Sequence, residues 1–272
     1  MARTRVRISS LLPVLALSAA AALVTGCGGD TGSSGDGEGA APRDGKPVVV
    51  VTTTWEGAFA KAAGAEDITV IVPPSTHHAP DYDPKPSDLA AVAKADFVLY
   101  APFEPYAAKI KEAAGSDAEL VEVALDNDAD RIRDEVARLG GLFGTEKAAA
   151  TWQTGFDAEY TKLSEGLKGA WPGGKSPNVV AQVFTGWSAK LAGATTVGTY
   201  GPEAVTPAQL AELSKKKPSL VLDNAHMSTG TVLPDSGATQ VKIVNYPGED
   251  LDLLAVHRAA AAELKKAMGA VA

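Results

Sequence analysis

The sequence predicts an α/β protein with two β/α lobes, whose mainly parallel sheets are joined by a long linking helix. Short apolar runs typical of buried strands alternate with amphipathic segments in residues 46–127 and again in residues 175–272. Residues 128–169, between these stretches, carry helical periodicity only. Alternating strands and helices favour parallel sheets, and the helical interruption divides them into two lobes.

In the first lobe, four apolar runs are predicted strands: Pro47 to Thr54, Ile68 to Val72, Phe97 to Ala101 and Leu120 to Val123. A helix capped by Ser87 precedes the third run, because Leu89, Val92 and Ala93 share one helical face. A second helix is expected from Pro105 to Gly115, since proline suits a first helical position and glycine suits the stop.

The linking segment carries the longest helical pattern. Large side chains recur at three- and four-residue spacings from Thr145 to Lys168, which predicts one helix about 36 Å long. We expect this helix to touch both lobes and to bury Trp152, Phe156 and Leu163.

The second lobe repeats the alternation after a break at residues 171–177. Its predicted strands are Val179 to Phe184, Thr195 to Tyr200, Leu220 to Leu222 and Val241 to Val244. Helices are expected near Ser188 to Leu191, from Thr206, and from Leu251 to Met268. In such sheets ligands bind at the carboxyl ends of the strands, which here predicts a site between the lobes.

The N-terminus has the layout of a secretory signal peptide over residues 1–26, with three arginines followed by an apolar stretch. The sole cysteine, Cys27, follows Val24-Thr25-Gly26 and resembles the lipobox of bacterial lipoproteins, which implies a lipid-anchored protein on the outer face of the cytoplasmic membrane. Residues 27–45 then hold the lipidated cysteine and a tether rich in small residues, without large apolar side chains.

Composition excludes several classes of protein. The formal charge of −8 becomes −11 without the three leader arginines, which argues against nucleic acid as a partner. With one cysteine, no internal disulfide can form. The chain lacks the Gly-x-Ser-x-Gly and His-Glu-x-x-His motifs, so we expect a binding protein rather than an enzyme, with no organic cofactor.

The segment from Pro80 to Asp88, followed by Ala95-Asp96-Phe-Val-Leu-Tyr100, resembles one family of proteins. These are the metal-binding substrate-binding proteins of zinc- and manganese-type ABC importers. The resemblance implies two α/β lobes bridged by one rigid helix, a transition-metal ion as the transported ligand, and an ABC permease as the partner. It also implies a monomer.

The family's usual metal ligands are substituted in this sequence. By the resemblance, its histidines would fall at Pro80, Glu122 and Gln182, and its late acidic ligand near Asn245. No position keeps the usual side chain, although His77 and His78 stand just before Pro80.

Six residues are candidate metal ligands: His77, His78, Glu104, Glu122, Asp223 and His226. Neutral imidazole binds Zn, Fe, Ni and Cu well, and the resemblance implies that the loop of His77 and His78 lines the cleft. We favour His78, and we expect only one of the two to bind the ion because neighbours on an extended loop point opposite ways. Each of the others lies within a predicted strand or follows one, and each could instead be a solvated, capping or edge residue. His257 lies inside the last helix and is interpreted as structural or exposed.

The sequence therefore predicts a receptor that captures Zn, Mn or Fe between its lobes for import. Two alternatives stay open. The substituted ligand positions favour a metal chelate or small organic ligand on the same fold, and an adhesion lipoprotein without transport is the other.

Overall fold

A computed structural model describes residues 46–74, 76, 81–115 and 118–270. The first lobe contains a four-stranded parallel sheet in the order β2-β1-β3-β4. Its strands are β1 (Val48–Val51), β2 (Asp67–Val70), β3 (Phe97–Tyr100) and β4 (Glu119–Glu122). Its helices are α1 (Thr54–Ala62), α2 (Pro86–Val92) and α3 (Ala107–Ala114).

The second lobe has a sheet with the corresponding order, β6-β5-β7-β8, and all of its pairs are parallel. The strands are β5 (Asn178–Gln182), β6 (Thr195–Tyr200), β7 (Leu220–Asn224) and β8 (Thr239–Ile243). Helices α6 (Gly186–Leu191) and α7 (Pro207–Lys215) connect them, and α8 (Leu253–Ala270) closes the lobe. The predicted fold class is thus confirmed.

Along the chain, the two lobes are separated by α4 (Ala129–Phe143) and the linking helix α5 (Glu146–Lys168). The linking helix packs on α1 and α4 at one end and on α6 and α8 at the other, as expected. Phe156 is fully buried, whereas Trp152 and Leu163 are only partly buried. Trp152 stacks on Phe156 with ring centroids 5.0 Å apart.

Three expectations need correction at the level of elements. Ser87 does not cap α2, because this helix begins at Pro86 and its N-cap residue is Lys85. The first strand ends at Val51 instead of Thr54, and the unpredicted helix α1 begins three residues later. Thr53 caps this helix: its hydroxyl accepts from the backbone N–H of Trp55, and Glu56 reaches back to the Thr53 backbone. Helix α3 begins at Ala107, beyond Pro105.

The central strands of each sheet, β1 and β3 in the first lobe and β5 and β7 in the second, are buried on both faces, as is typical of parallel sheets. In the first lobe, Val49 and Val51 face α1, α4 and α5, while Val50 and Val98 face the α2 and α3 side. In the second lobe, Val179 and Ala181 pack with α5, α6 and α8. The helices cover the faces of the sheets and do not cover the carboxyl ends of the strands.

Candidate functional site

The strand order places a topological switch point between β1 and β3 in the first lobe, and another between β5 and β7 in the second. Ligands of open α/β sheets bind in the crevice outside such points. The loops at these edges meet across the lobes, because the Thr54 hydroxyl donates to the Pro247 carbonyl over 2.8 Å and the rings of Trp55 and Tyr246 are 4.9 Å apart. The crevice is therefore formed by both lobes.

Glu56 follows β1 at this crevice and is fully buried. Its Oε2 accepts from the Thr53 backbone N–H over 3.1 Å and from the Thr53 hydroxyl. Its Oε1 is buried without a hydrogen-bond partner. Burial, the larger cause, and the negative charge of Glu104 together raise the pKa of Glu56 to about 7.

Glu104 follows β3 and faces the same crevice from the other side of the switch point. Its Oε2 accepts from the Ala101 N–H and its Oε1 accepts from the Tyr106 hydroxyl, both over 3.0 Å. Burial raises the pKa of Glu104 as well. The Thr52 hydroxyl lies close enough to both carboxyl groups to oppose these shifts, yet it has no partner with hydrogen-bond geometry.

The second lobe contributes Tyr246 and His226 to the crevice. Burial raises the pKa of Tyr246, and the negative charges of Glu56 and Glu104 also raise it. His226 follows β7, and its ring lies 4.8 Å from that of Tyr246. Partial burial lowers the pKa of His226, so its imidazole is neutral and available to a metal at pH 7.

Asp223 is fully buried and points into its own lobe. Its Oδ1 accepts from the Tyr200 hydroxyl over 2.7 Å, and its Oδ2 accepts from Ser228 and Gln240 over 2.6 and 3.0 Å. Three donors thus occupy the carboxylate, and ligation of a metal would break bonds that hold the second lobe together.

Glu122, at the end of β4, lies away from the switch point. It is exposed and lines an open cavity of about 350 Å³ with Phe103, Leu125 and Arg138. Its backbone carbonyl accepts from the Arg138 guanidinium over 2.9 Å. Glu122 therefore lies at the outer strand β4 of the first sheet and outside the crevice between the lobes.

Two other positions at which the resemblance implies ligands carry amides with structural partners. Gln182 accepts from the Phe184 N–H over 2.7 Å, while its buried Nε2 has no partner. Asn245 accepts from the Trp187 indole N–H over 2.9 Å through its side chain. Both side chains are buried at the carboxyl ends of second-lobe strands.

The remaining sequence candidates lie outside the described residues, namely His77, His78 and the lipidation residue Cys27. Within the described ranges, no three His, Cys, Asp or Glu side chains are grouped closely enough to hold a metal ion. Glu104 and His226 have Tyr246 as a common neighbour: the charge of Glu104 raises the pKa of Tyr246, and the His226 ring lies 4.8 Å from the Tyr246 ring. No helix in the described part of the chain is long and apolar enough to cross a membrane.

Sequence reasoning missed Glu56. Its signal was present, since Thr53-x-x-Glu56 is a capping-box pattern directly after an apolar run. Recognising that pattern would have placed a carboxyl group at the end of β1. His257 is buried and structural, with its ring nitrogens near the carbonyl oxygens of Leu253 and Asn127 at 3.0 and 3.1 Å.

Comparison with known proteins agrees with this architecture. The family model for ZnuA, the periplasmic zinc-uptake complex component A, matches residues 49–138. The match includes the strands β1 and β3 and the residues Pro80 to Asp88 that carry the resemblance in the sequence. The expected resemblance to metal-binding proteins of zinc- and manganese-type importers is thereby confirmed. A comparison with curated proteins finds no match.

Solved structures show the same fold at low sequence identity. The laminin-binding protein Lmb of Streptococcus agalactiae, described as bifunctional with adhesin and metal-transporting activity, superposes with a TM-score of 0.61 at 16% identity. That match covers 82% of this chain and 99% of the Lmb chain.

The metal-dependent lipoprotein YcdH of Bacillus subtilis gives a TM-score of 0.57 at 16% identity, covering 80% of this chain and 97% of that chain. The Zn(II)-bound ZnuA-like domain of Streptococcus pneumoniae AdcA gives 0.53 at 19% identity, covering 82% and 99%. The chain therefore has the two-lobed fold of these binding proteins.

Proposed function

We propose that this protein is an extracytoplasmic binding protein that captures a transition-metal ion, Zn, Mn or Fe, between its lobes and delivers it to an ABC permease. One observation carries the proposal: the segment that matches the ZnuA family, residues 49–138, contains the switch point of the crevice. The metal ion is cargo rather than a resident cofactor, and the protein's task is to bind and release it.

We further propose His78 and His226 as nitrogen ligands and Glu104 as a carboxylate ligand. His226 and Glu104 support this assignment by their positions after β7 and β3, on opposite sides of the crevice. Asp223 is less suited because three donors occupy its oxygens, and Glu122 because it lies at the β4 edge.

Metal binding is tested on protein purified without chelator, by elemental analysis and by thermal unfolding with added Zn²⁺, Mn²⁺ or Fe²⁺. An ion present at a hundred times its Kd stabilises a protein by about 2.7 kcal/mol. We expect His78→Ala and His226→Ala each to weaken binding at least about tenfold. Met227→Ala, an exposed neighbour of His226, is the matched control and should bind as the wild type does. Unchanged affinity in both histidine variants contradicts the ligand assignment.

Anchoring through Cys27 is a separate proposal, supported by the lipobox-like Val24-Thr25-Gly26-Cys27. Because a lipid needs the thiol, Cys27→Ser should move the protein from the membrane fraction to the soluble fraction without changing its melting temperature. Fractionation followed by immunoblotting measures this. A variant still found in the membrane fraction would rule out this anchor.

A small organic ligand or metal chelate is the second candidate, and the rim of the crevice favours it. Large apolar side chains are exposed in the loop at the carboxyl end of β5, namely Val183 and Phe184. Apolar rims suit ligands with apolar surface. Mass spectrometry of ligand released from the purified protein separates this candidate from a bare ion.

A further inference from the structure

Two acidic side chains are buried at the first-lobe switch point without a basic partner. Glu56 follows β1 and Glu104 follows β3, and the charge of Glu104 acts on Glu56. No lysine, arginine or histidine in the described residues forms a hydrogen bond or ion pair with either carboxyl group. Buried carboxylates are normally paired or bound to a metal, because an uncompensated buried charge is strongly destabilising.

Two oxygen atoms at this point are unused. The Glu56 Oε1 and the Thr52 Oγ1 are both buried without a hydrogen-bond partner, although the Thr52 hydroxyl lies near both carboxyl groups. Native proteins leave few buried polar atoms unsatisfied, so each such atom requires an explanation. The Thr52 N–H donates to the Leu99 carbonyl over 3.1 Å, and the two carboxyl groups accept from the backbone at Thr53 and Ala101. The carboxyl pair and the two unused atoms therefore lie together at the adjacent ends of β1 and β3.

The other oxygens of the pocket are held in place by the fold. Glu56 Oε2 is fixed by the capping box at the start of α1, and Glu104 is fixed by the Ala101 N–H and the Tyr106 hydroxyl. Such supporting bonds orient carboxylates for ligation. Tyr246, which is partly exposed, contacts Trp55 of the first lobe and the exposed His226 with its ring.

We infer that Glu56, Glu104 and Thr52 form an all-oxygen pocket for a divalent cation. None of the three occupies a position at which the resemblance places a metal ligand. The ligand class is a cation that favours carboxylate and hydroxyl oxygen, for which Mn²⁺ is the probe of choice. This inference rests on the proposed function, because the pocket would provide the first-lobe ligands of the proposed metal site in the same crevice.

The test measures Mn²⁺ binding to the purified protein by electron paramagnetic resonance, which reports the free ion. We expect Glu56→Gln and Glu104→Gln each to weaken Mn²⁺ binding at least about tenfold, and Thr52→Val to weaken it several-fold. Glutamine keeps an oxygen for the supporting N–H donors and removes the charge. The matched controls are Glu112→Gln and Thr69→Val, exposed positions of the same lobe, which should bind as the wild type does.

Circular dichroism verifies that each variant is folded. If a glutamine variant does not fold, Thr52→Val, which removes only a hydroxyl group, is used to test the pocket instead. A Mn²⁺-soaked crystal should give an anomalous peak between the two carboxyl groups. The inference is wrong if all folded pocket variants bind Mn²⁺ with wild-type affinity. It is also wrong if Glu56 and Glu104 share a proton and the wild-type pocket binds no Mn²⁺. In both cases histidine-dependent Zn²⁺ binding would leave the proposed function intact. Failure of wild type to bind any metal ion would overturn both.

Discussion

His257 illustrates how one buried residue joins several parts of the molecule. Its ring packs against Phe156 and Tyr160 of the linking helix and against Trp187 of the second lobe. Its two nitrogens face the carbonyl oxygens of Leu253 and Asn127. A neutral imidazole carries one N–H and so donates to only one of them.

Burial lowers the pKa of His257 below its ordinary value, because the charged ring is excluded from water. In the unfolded chain the ring titrates near 6.5, so the unfolded state binds the proton more readily. The stabilisation is therefore complete above about pH 6.5 and decreases as the pH falls towards the folded-state pKa. The loss reaches at most about 2 kcal/mol at pH 5.

We predict that the stability advantage of wild type over His257→Gln shrinks by up to about 2 kcal/mol between pH 7 and pH 5, whereas the raised pKa of Glu56 stabilises both proteins as the pH falls. The amide keeps a donor but does not titrate. At pH 8 the variant should be less stable by about 1–3 kcal/mol, since it loses the ring contacts. Urea denaturation at each pH provides the measurement. His226→Gln, whose ring is at the surface, is the control and should change the slope less. Equal slopes in wild type and His257→Gln would contradict the prediction.

At the scale of elements, the contact between α4 and α5 depends on a missing side chain. A Cβ atom placed on Gly140 would lie 2.6 Å from the Cβ of Ala149, too close for any real pair. A Cβ on the adjacent Gly141 would meet no atom within 4 Å. The two glycines occupy the same helix but differ in this one respect.

Gly140→Ala should therefore destabilise the protein by about 1–3 kcal/mol, because the two helices must move apart. Gly141→Ala should leave stability unchanged or raise it by up to about 1 kcal/mol, as alanine favours helices more than glycine does. Chemical denaturation of the pair measures the difference. Equal effects of the two substitutions would show that helix propensity alone acts here.

The alternation of strands and helices could be predicted because each buried strand appears as a short apolar run, and all eight predicted strands are present. Helix α1 was missed because Thr52 to Trp55 continues a run of strand-favouring residues, and only the Thr53 and Glu56 cap marks the change. Glu104 and His226 could be selected because they follow strands.

The surroundings of Asp223 could not be predicted from sequence. Its donors, Tyr200, Ser228 and Gln240, come from separate segments that only the folded second lobe brings together. The unused oxygens of Glu56 and Thr52 are hidden from the sequence for the same reason, since a missing partner is a property of packing.

At the scale of the whole molecule, several contacts join the two lobes. The Lys190 ammonium pairs with Asp128, and the Lys61 ammonium donates to the Asp250 carbonyl over 2.6 Å. More important are the shared cores, because Leu253 of α8 belongs to the first-lobe core while Val256 and Leu264 of the same helix belong to the second. One helix thus completes both hydrophobic cores.

We predict that the two lobes unfold in one calorimetric transition. Leu253→Ala should lower the free energy of unfolding by about 2–5 kcal/mol and should weaken hydrogen-exchange protection in β1 and β5 together. Lys265→Ala, on the outer side of α8, should have little effect. Two resolved transitions, or loss of protection confined to the first lobe, would show that the lobes are independent.

The position of Leu253 also determines the order in which the parts of the chain can complete their folding. Chains are synthesised from the N-terminus, and independent domains fold in that order. Here the first lobe lacks part of its interior until α8, near the end of the sequence, has been made. The first lobe therefore stays incomplete until α8 is available, and the docking of α8 completes both hydrophobic cores.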